Sequence, residues 1–97
     1  IKDIPTDKSK ALIAALGAGS PQQDKNRIRE FFDQKFGDVE SINITDGLRI
    51  TFSNNDIVHL RPSGNAPELR CYTESENMAD ARENNHEALR FVKQALS

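Results

Sequence analysis

The feature that most constrains the fold is a change in the spacing of apolar residues at Val39. From there to about Glu74 apolar and polar residues alternate, which is the period of a β-strand with one buried face. Turn signals at Asp46-Gly47 and at 53–56 interrupt the alternation, and Asp-Gly between alternating segments is a strong hairpin signal. The sequence therefore predicts four antiparallel strands. Their expected core face carries Ile42, Ile44, Leu48, Ile50, Phe52, Val58, Leu60, Leu69, Cys71 and Thr73, and the opposite face carries His59, Arg61, Arg70 and Tyr72.

Helical spacing of apolar residues precedes the strands. A first helix is expected to begin at a cap of Thr6 or Asp7 and to stop at Gly17 and Gly19. Residues 1–4 are predicted to form a short edge strand or a linker. The apolar stripe of this helix would consist of Ala11, Leu12, Ala15 and Leu16.

Two further helices are expected, one directly before the strands in the sequence and one after them. Ser20-Pro21 is a start signal, and a helix over 24–36 would end at Gly37 in the C′ position. The last helix would span about 78–96 with Asn77 as its cap. The expected apolar residues are Ile28, Phe31, Phe32 and Phe36 in the second helix, and Met78, Ala81, Ala88, Leu89, Val92 and Leu96 in the last. These elements define an α+β fold, a four-stranded antiparallel sheet with helices packed on one face.

Length and composition restrict the class of protein. With 97 residues the chain has room for one core, so we expect a single domain over 1–97. A net charge of −2 with five Phe and one Tyr argues against nucleic-acid binding, which ordinarily uses a basic surface and aromatic platforms. The chain has neither a signal peptide nor an apolar run near the roughly 20 residues that cross a bilayer. With its single cysteine, Cys71, this predicts a cytoplasmic protein without an internal disulfide, and the start at Ile1 favours a fragment of a longer protein.

The segment R-P-S-G-N-A-P-E-L-R after the third predicted strand carries the strongest chemical signal. Gly64 permits backbone conformations in which successive N–H groups converge, while Ser63 and Asn65 add side-chain donors. Arg61 and Arg70 place guanidinium groups at its two ends, which a simple turn does not need. Pro, Ser, Gly and Asn are also ordinary turn residues, so a structural turn is the competing interpretation. The order of the residues favours a phosphate-binding loop.

This segment resembles the signature loop of the C-terminal domain of the α-D-phosphohexomutases, the phosphoglucomutase and phosphomannomutase family, which reads R-P-S-G-T-E-P followed shortly by an Arg. The likeness covers about Asp46 to Glu74, from the D-G hairpin to the strand that begins E-L-R-C-Y. Residues 1–45 and 75–97 share only the order of elements. The resemblance implies a TATA-box-binding-protein-like fold, which is the α+β architecture predicted above.

The resemblance implies that Arg61, Ser63, Gly64 and Asn65 bind the phosphate that is not transferred, with Arg70 as a further candidate. Enzymes of that family use four domains to move a phosphoryl group between the 1- and 6-positions of a hexose, through a phosphoserine and a bisphosphorylated sugar. The implied partners are mannose or glucose 1- or 6-phosphate and the other three domains, on which this domain would close as a lid. The implied Mg²⁺ is bound by another domain. Ser63 is therefore not expected to be the nucleophile, and this chain alone is expected to be inactive.

Some family features differ or are missing. Asn65 replaces the usual Thr and keeps a donor, whereas Ala66 replaces the usual Glu and removes a carboxylate that could brace an Arg or another domain. The chain has no D-x-D-x-D-R-like metal loop and no T-A-S-H-N-like serine loop. We therefore expect neither a catalytic nor a metal-binding residue here. The resemblance implies a domain that holds substrate rather than a complete catalytic unit.

Two other functions stay open at the level of sequence. One is a non-enzymatic module that binds a phosphorylated metabolite, and the other is an interaction domain whose loop binds no anion. His59 and His86 lie far apart without companion ligands, so they do not predict a metal site. His59 is expected on the polar face of the sheet, where it could line the phosphate cleft beside Arg61. Cys71 is expected to be an unreactive core residue, and the acidic residues of 74–83 a solvated surface.

Overall fold

The fold is a single antiparallel sheet with helices. A computed structural model describes residues 6–17, 19–63 and 68–96 of the chain. In chain order, this part contains the helices α1 (Thr6–Gly17) and α2 (Pro21–Phe31), the strands β1 (Val39–Asn43), β2 (Leu48–Phe52), β3 (Ile57–Pro62) and β4 (Leu69–Glu74), and the helix α3 (Met78–Leu96). The strands pair in the order β1-β2-β3-β4. The predicted α+β class is confirmed, whereas the strand or linker expected at 1–4 lies outside the described residues.

The sheet separates apolar and polar side chains onto its two faces. The helices cover the apolar face, with α2 against β1, α1 against β3 and α2, and α3 against β3 and β4. The buried strand residues are Val39, Leu48, Ile50, Phe52, Val58, Leu60 and Leu69, which the helices meet with Leu16, Ile28, Phe32, Ala88 and Val92. The other face, here called the open face, carries Arg49, His59, Arg61, Arg70, Tyr72 and Glu74. The predicted alternation is confirmed for β2, β3 and β4.

The first hairpin differs from the prediction at Ile44. An irregularity in the β1–β2 register between Val39 and Ser41 changes which residues of β1 face the helices. Ile42 still pairs with Ile50 over the core, but the strand ends at Asn43 and Ile44 is 59% exposed. The prediction that Ile44 faces the core is therefore wrong, because the residue lies in the connection after the strand.

The apolar stripe of α1 is also shifted from the predicted one. Leu16 is buried, and Leu12 and Ile13 pack against the core, whereas Ala11 and Ala15 are exposed. The helix buries the larger side chains, because they remove more apolar area from water than alanine does. Thr6 lies within the helix rather than before it.

Helix α2 begins at Pro21, at the Ser20-Pro21 start signal and before the predicted segment 24–36, and it ends early. The Ser20 hydroxyl accepts a hydrogen bond from the Gln23 backbone N–H, which confirms the start signal. The predicted end at Gly37 is wrong, because Asp33 and Gln34 have φ values of 50° and 60° and turn the chain after Phe31. Their left-handed conformations accompany an aromatic cluster in which Phe32 is buried and contacts Phe31, Phe36, Phe52 and Phe91 edge to face. The prediction of a phenylalanine core is confirmed.

Helix α3 has the predicted bounds and cap. The Asn77 side-chain oxygen accepts from the backbone N–H of Asp80 at 2.8 Å. Ala88 and Val92 are buried in the core, but Met78 is 73% exposed, so its predicted place in the apolar stripe is wrong. Met78 is the first residue of the helix.

Asp56 joins three segments at the end of the sheet where β2 turns into β3. Its carboxylate accepts hydrogen bonds from Ser75 Oγ at 2.8 Å, Asn84 Nδ2 at 3.0 Å and Asn54 Nδ2 at 3.1 Å. These donors belong to the segment before α3, to α3 itself and to the β2–β3 turn. One half-buried carboxylate therefore connects the sheet to the last helix.

We expect Asp56→Ala to lower the free energy of unfolding by about 1–3 kcal/mol, because three donors, two of them in partly buried hydrogen bonds, lose their acceptor. Urea unfolding followed by circular dichroism measures this. Glu40→Ala removes an acidic side chain from an exposed position of β1 and should change stability by less than about 0.5 kcal/mol. Equal stability of the two variants would show that the Asp56 hydrogen bonds contribute nothing net.

Candidate functional site

The two arginines predicted at the ends of the loop lie side by side on the open face. Arg61 on β3 and Arg70 on β4 are direct partners in the antiparallel register, and both are exposed. Side chains at such positions have Cβ atoms about 5 Å apart, so two like charges face each other. Two opposed arginines repel each other when no anion is bound, and both can bind an anion placed between them. This pair is therefore the first geometric indication of an anion site.

Ser63 lies at the base of the loop. Its backbone N–H donates to the Glu68 carbonyl at 2.9 Å, which extends the β3–β4 ladder by one pair. That N–H is thus used within the sheet, and a bound anion would meet the Ser63 hydroxyl rather than its backbone. Ser63 is two residues beyond Arg61 and so shares its side of the strand. Gly64 and Asn65, the other two predicted site residues, and the substituted Ala66 lie outside the described residues.

Arg61 has a counter-ion that the sequence did not suggest. Its Nε lies 3.3 Å from Oδ1 of Asp46, a residue of the β1–β2 connection, and both side chains are about half exposed. A guanidinium bound through Nε keeps its end-on edge, formed by the two Nη atoms, for a second anion. The ion pair is thus compatible with phosphate binding by the same arginine.

The Asp46-Gly47 turn is held against the strand that leads into the loop. Gly47 has φ +76°, and a Cβ built on it would overlap the Leu60 carbonyl oxygen and lie 3.1 Å from Arg61 Cα. His59 Nε2 lies 2.5 Å from the Asp46 carbonyl oxygen; a carbonyl only accepts, so Nε2 is the donor. The Asp-Gly pair therefore closes the hairpin as predicted and also buttresses β3 at Leu60 and Arg61.

The remaining open-face residues extend the polar surface away from the loop. A hydrogen bond with the Tyr72 side chain, the largest contribution, raises the pKa of Arg70 above its usual value. His59 lies beside Tyr72 with ring centroids 6.0 Å apart, so it is on the polar face as predicted. Arg49 is paired with Glu74 at 3.1 Å, farther from the loop. The described part of the site thus consists of Arg61, Ser63 and Arg70, with Asp46 and His59 beside them.

Asp46 is the residue that sequence reasoning missed, although a signal for it exists. The β2–β3 register pairs Leu48 with Leu60, so Gly47 is level with Arg61 and Asp46 is the next residue of the connection. A turn at 53–56 between β2 and β3, with strict alternation of apolar and polar residues along both strands, implies nearly this register. The Asp46-Gly47 pair by itself signals only a hairpin, because a turn residue has no assigned neighbour on the third strand until the register of the strands is considered.

A groove of about 360 Å³ lies on the helix side of the loop base. It is lined by Lys10, Ile13, Ala14, Gly17, Ile44, Gly47 and Pro62. Its mostly apolar walls suit packing rather than phosphate binding, in contrast to the arginine pair on the open face.

The described part of the chain has neither a metal-ligand cluster nor a helix that could span a membrane. Within residues 6–17, 19–63 and 68–96, no three His, Cys, Asp or Glu side chains are grouped closely enough to hold a metal ion. Over those same ranges, each helix is too short or too polar to cross a bilayer.

The fold and the arginine-flanked loop define the class of domain to which the chain belongs. Residues 6–90 match the family described as the phosphoglucomutase/phosphomannomutase C-terminal domain. The match covers most of the chain, so the chain belongs to this family, as the loop motif predicted.

Relatives with assigned names agree with that family. A phosphomannomutase of Sinorhizobium fredii is 44% identical over 79% of this chain and 15% of its own length. A phosphomannomutase of Salmonella muenchen is 68% identical over 39% of the chain and 8% of its own. A "Probable phosphoglucosamine mutase" of Methanosphaera stadtmanae is 40% identical over 48% of the chain and 10% of its own. The chain thus spans only a small part of the length of the mutases it matches.

Gly47→Ala should destabilise the fold by about 2 kcal/mol or more, because left-handed strain of about 1 kcal/mol adds to overpacking against Leu60. Gly37→Ala is the matched control, since Gly37 has φ +81° but nothing within 4 Å of an added Cβ. Gly37→Ala should lower the free energy of unfolding by the left-handed strain alone, about 1 kcal/mol. Urea unfolding of both variants makes the comparison. Equal losses would contradict close packing of the Asp46-Gly47 turn on β3.

The Cys71 thiol is expected to react slowly in the folded chain, in keeping with the sequence prediction. Burial raises its pKa from 9.0 to about 11. The reactive thiolate is therefore about 100-fold rarer near pH 8 than for an unperturbed thiol. Iodoacetamide alkylation should be slower by at least that factor in the folded chain than in concentrated urea. The difference in alkylation rate between the folded and the unfolded chain should narrow as the pH rises toward the raised pKa. An alkylation rate in the folded chain whose pH dependence is centred near 9 would contradict the burial of the thiol.

Proposed function

We propose that the chain is the C-terminal, phosphate-binding domain of a longer phosphohexomutase, a phosphomannomutase or phosphoglucomutase. Such an enzyme interconverts the 1- and 6-phosphates of a hexose and belongs to the isomerases. The observation that carries the proposal is the opposed pair Arg61 and Arg70 at the two ends of the family's loop. Two guanidinium groups facing each other on an exposed sheet are explained by an anion that both can bind.

In this proposal the loop binds the phosphate that is not transferred. Arg61 and Arg70 supply charge, the Ser63 hydroxyl donates a hydrogen bond, and Gly64 and Asn65 complete the site with backbone and amide donors. Each hydrogen bond to a charged phosphate oxygen contributes about 1.5–3 kcal/mol. Several together are enough to hold one end of a sugar phosphate while its other end reacts. Binding energy from the remote phosphate is thereby used to orient the reacting group.

The rest of the proposed enzyme supplies the chemistry. Three other domains would carry the phosphoserine and the Mg²⁺, and this domain would close on the substrate as a lid that excludes water from the phosphoenzyme. The isolated chain should then have no mutase activity. We place the enzyme in the cytoplasm, where Cys71, the single cysteine of this chain, would stay reduced.

The names of the relatives suggest which sugar to test first. Both relatives named phosphomannomutase match this chain at higher identity than either of two relatives named "Probable phosphoglucosamine mutase". We therefore propose mannose 6-phosphate as the first ligand, with glucose 1-phosphate as the second. The chain holds the phosphate in this proposal, so it should discriminate weakly among hexoses.

Arg61→Ala should weaken binding of mannose 6-phosphate by the chain about 10-fold or more, because one charge-assisted contact is lost. The measurement is an amide NMR titration, with a wild-type dissociation constant around millimolar since the chain alone forms only part of the proposed substrate site. Shifts should concentrate at 61–70 and be absent with mannose.

Arg49→Ala is the matched control for this titration. Arg49 lies on the same open face and is also paired with a carboxylate, but it is farther from the loop. Its removal should change affinity less than about twofold, the effect expected of a distant screened charge. No wild-type shift at tens of millimolar ligand, or equal losses in the two variants, would contradict the proposed phosphate site and favour an interaction domain.

A further inference from the structure

A residue outside the loop is placed to control one of its arginines. Asp46 belongs to the β1–β2 connection, 15 positions before Arg61 in the sequence, and its carboxylate lies 3.3 Å from Arg61 Nε. The contact uses the side of the guanidinium and keeps its end-on edge for another anion. Asp46 can therefore hold the arginine without taking the place of a ligand.

The backbone of Asp46 is itself fixed by two separate contacts. His59 donates from Nε2 to the Asp46 carbonyl oxygen, and the next residue, Gly47, packs on the backbone of Leu60 and Arg61. Both contacts come from β3, the strand that carries Arg61. The carboxylate is thus attached to the same rigid unit as the arginine it binds, which is the requirement for setting a side-chain orientation.

Charge gives Asp46 a second effect on the site. Arg61 and Arg70 face each other in the register, and their repulsion would drive the side chains apart when no anion is bound. The Asp46 carboxylate offsets this repulsion on the Arg61 side. Asp46 reaches Arg61 from the β2 side of β3, opposite to β4, so the ion pair holds the Arg61 side chain on the surface of the sheet.

We infer that Asp46 is a positioning residue for phosphate binding: it holds the Arg61 guanidinium in place while the loop is empty. The inference rests on the proposed function, since it assigns a role within the same site. A competing role is possible in physical terms, because a carboxylate near a phosphate also repels it. The two roles predict opposite effects of removing the charge, so one variant separates them.

The test is Asp46→Asn in the 97-residue chain, titrated with mannose 6-phosphate by amide NMR. Affinity should fall about threefold or more, because the variant must order the Arg61 side chain on binding, whereas in the wild type this side chain is ordered beforehand. The Arg61 Nε–Hε signal should shift and exchange faster with water in the free variant, a change that a purely structural role does not require. Unchanged or tighter binding would overturn the inference in favour of electrostatic competition.

Two further variants complete the design. Glu74→Gln removes the same charge from the same face, where it pairs with Arg49, and should leave both the affinity and the Arg61 signal unchanged. Asp46→Glu keeps a carboxylate and should restore affinity to within about twofold of wild type; failure to do so would count against the ion pair. If the wild type binds no mannose 6-phosphate, the proposed function fails, whereas wild-type binding unaltered by Asp46→Asn removes the inference alone.

Discussion

The register of β2, β3 and β4 is the constraint on which the rest of the structure depends. Leu48, Leu60 and Leu69 are fully buried on one face, and each fully buried leucine contributes about 1.5–3 kcal/mol. A slip of one residue would turn a strand's leucines out and its arginines in. Exposed ion pairs such as Arg61–Asp46 contribute about 0–1 kcal/mol and cannot fix the pairing. Burial of the core therefore places Arg61 opposite Arg70, and the ion pair follows.

The arginine pair shows how the proposed binding site would oppose the stability of the fold that carries it. Two guanidinium groups opposite each other are unfavourable unless negative charge lies close by. In the described structure Asp46 provides part of that charge to Arg61, and Tyr72 hydrogen bonds to Arg70. A phosphate dianion would provide more charge than either group. An anionic ligand would therefore stabilise this arrangement further, which is the property expected of the proposed phosphate site.

Much of this fold could be predicted because local signals and tertiary packing agree. Alternation around the 53–56 turn gives the faces of β2 and β3, and Asn77 caps α3 with the hydrogen bond its sequence position suggests. Prediction failed where a contact between distant segments overrides local preference. Helix α2 ends early because Phe36 stacks on Phe52 at 5.2 Å after two non-glycine residues with positive φ, and local spacing does not predict that combination. The Asp46–Arg61 contact was missed for a related reason, since it depends on the register of two strands and not on a motif.

The two ends of the sheet have different chemistry, and the difference bears on how the domain would work. At the end where β2 turns into β3, Asp56 receives three side-chain hydrogen bonds and ties the turn to α3. At the opposite end, Ser63 and Glu68 close the ladder and the exposed arginines begin. A loop that joins adjacent antiparallel strands directly has both of its ends fixed by the sheet. The backbones of Arg61 and Arg70 therefore keep their spacing whatever the conformation of the residues between them, and the sheet fixes the points from which the two side chains would reach a phosphate.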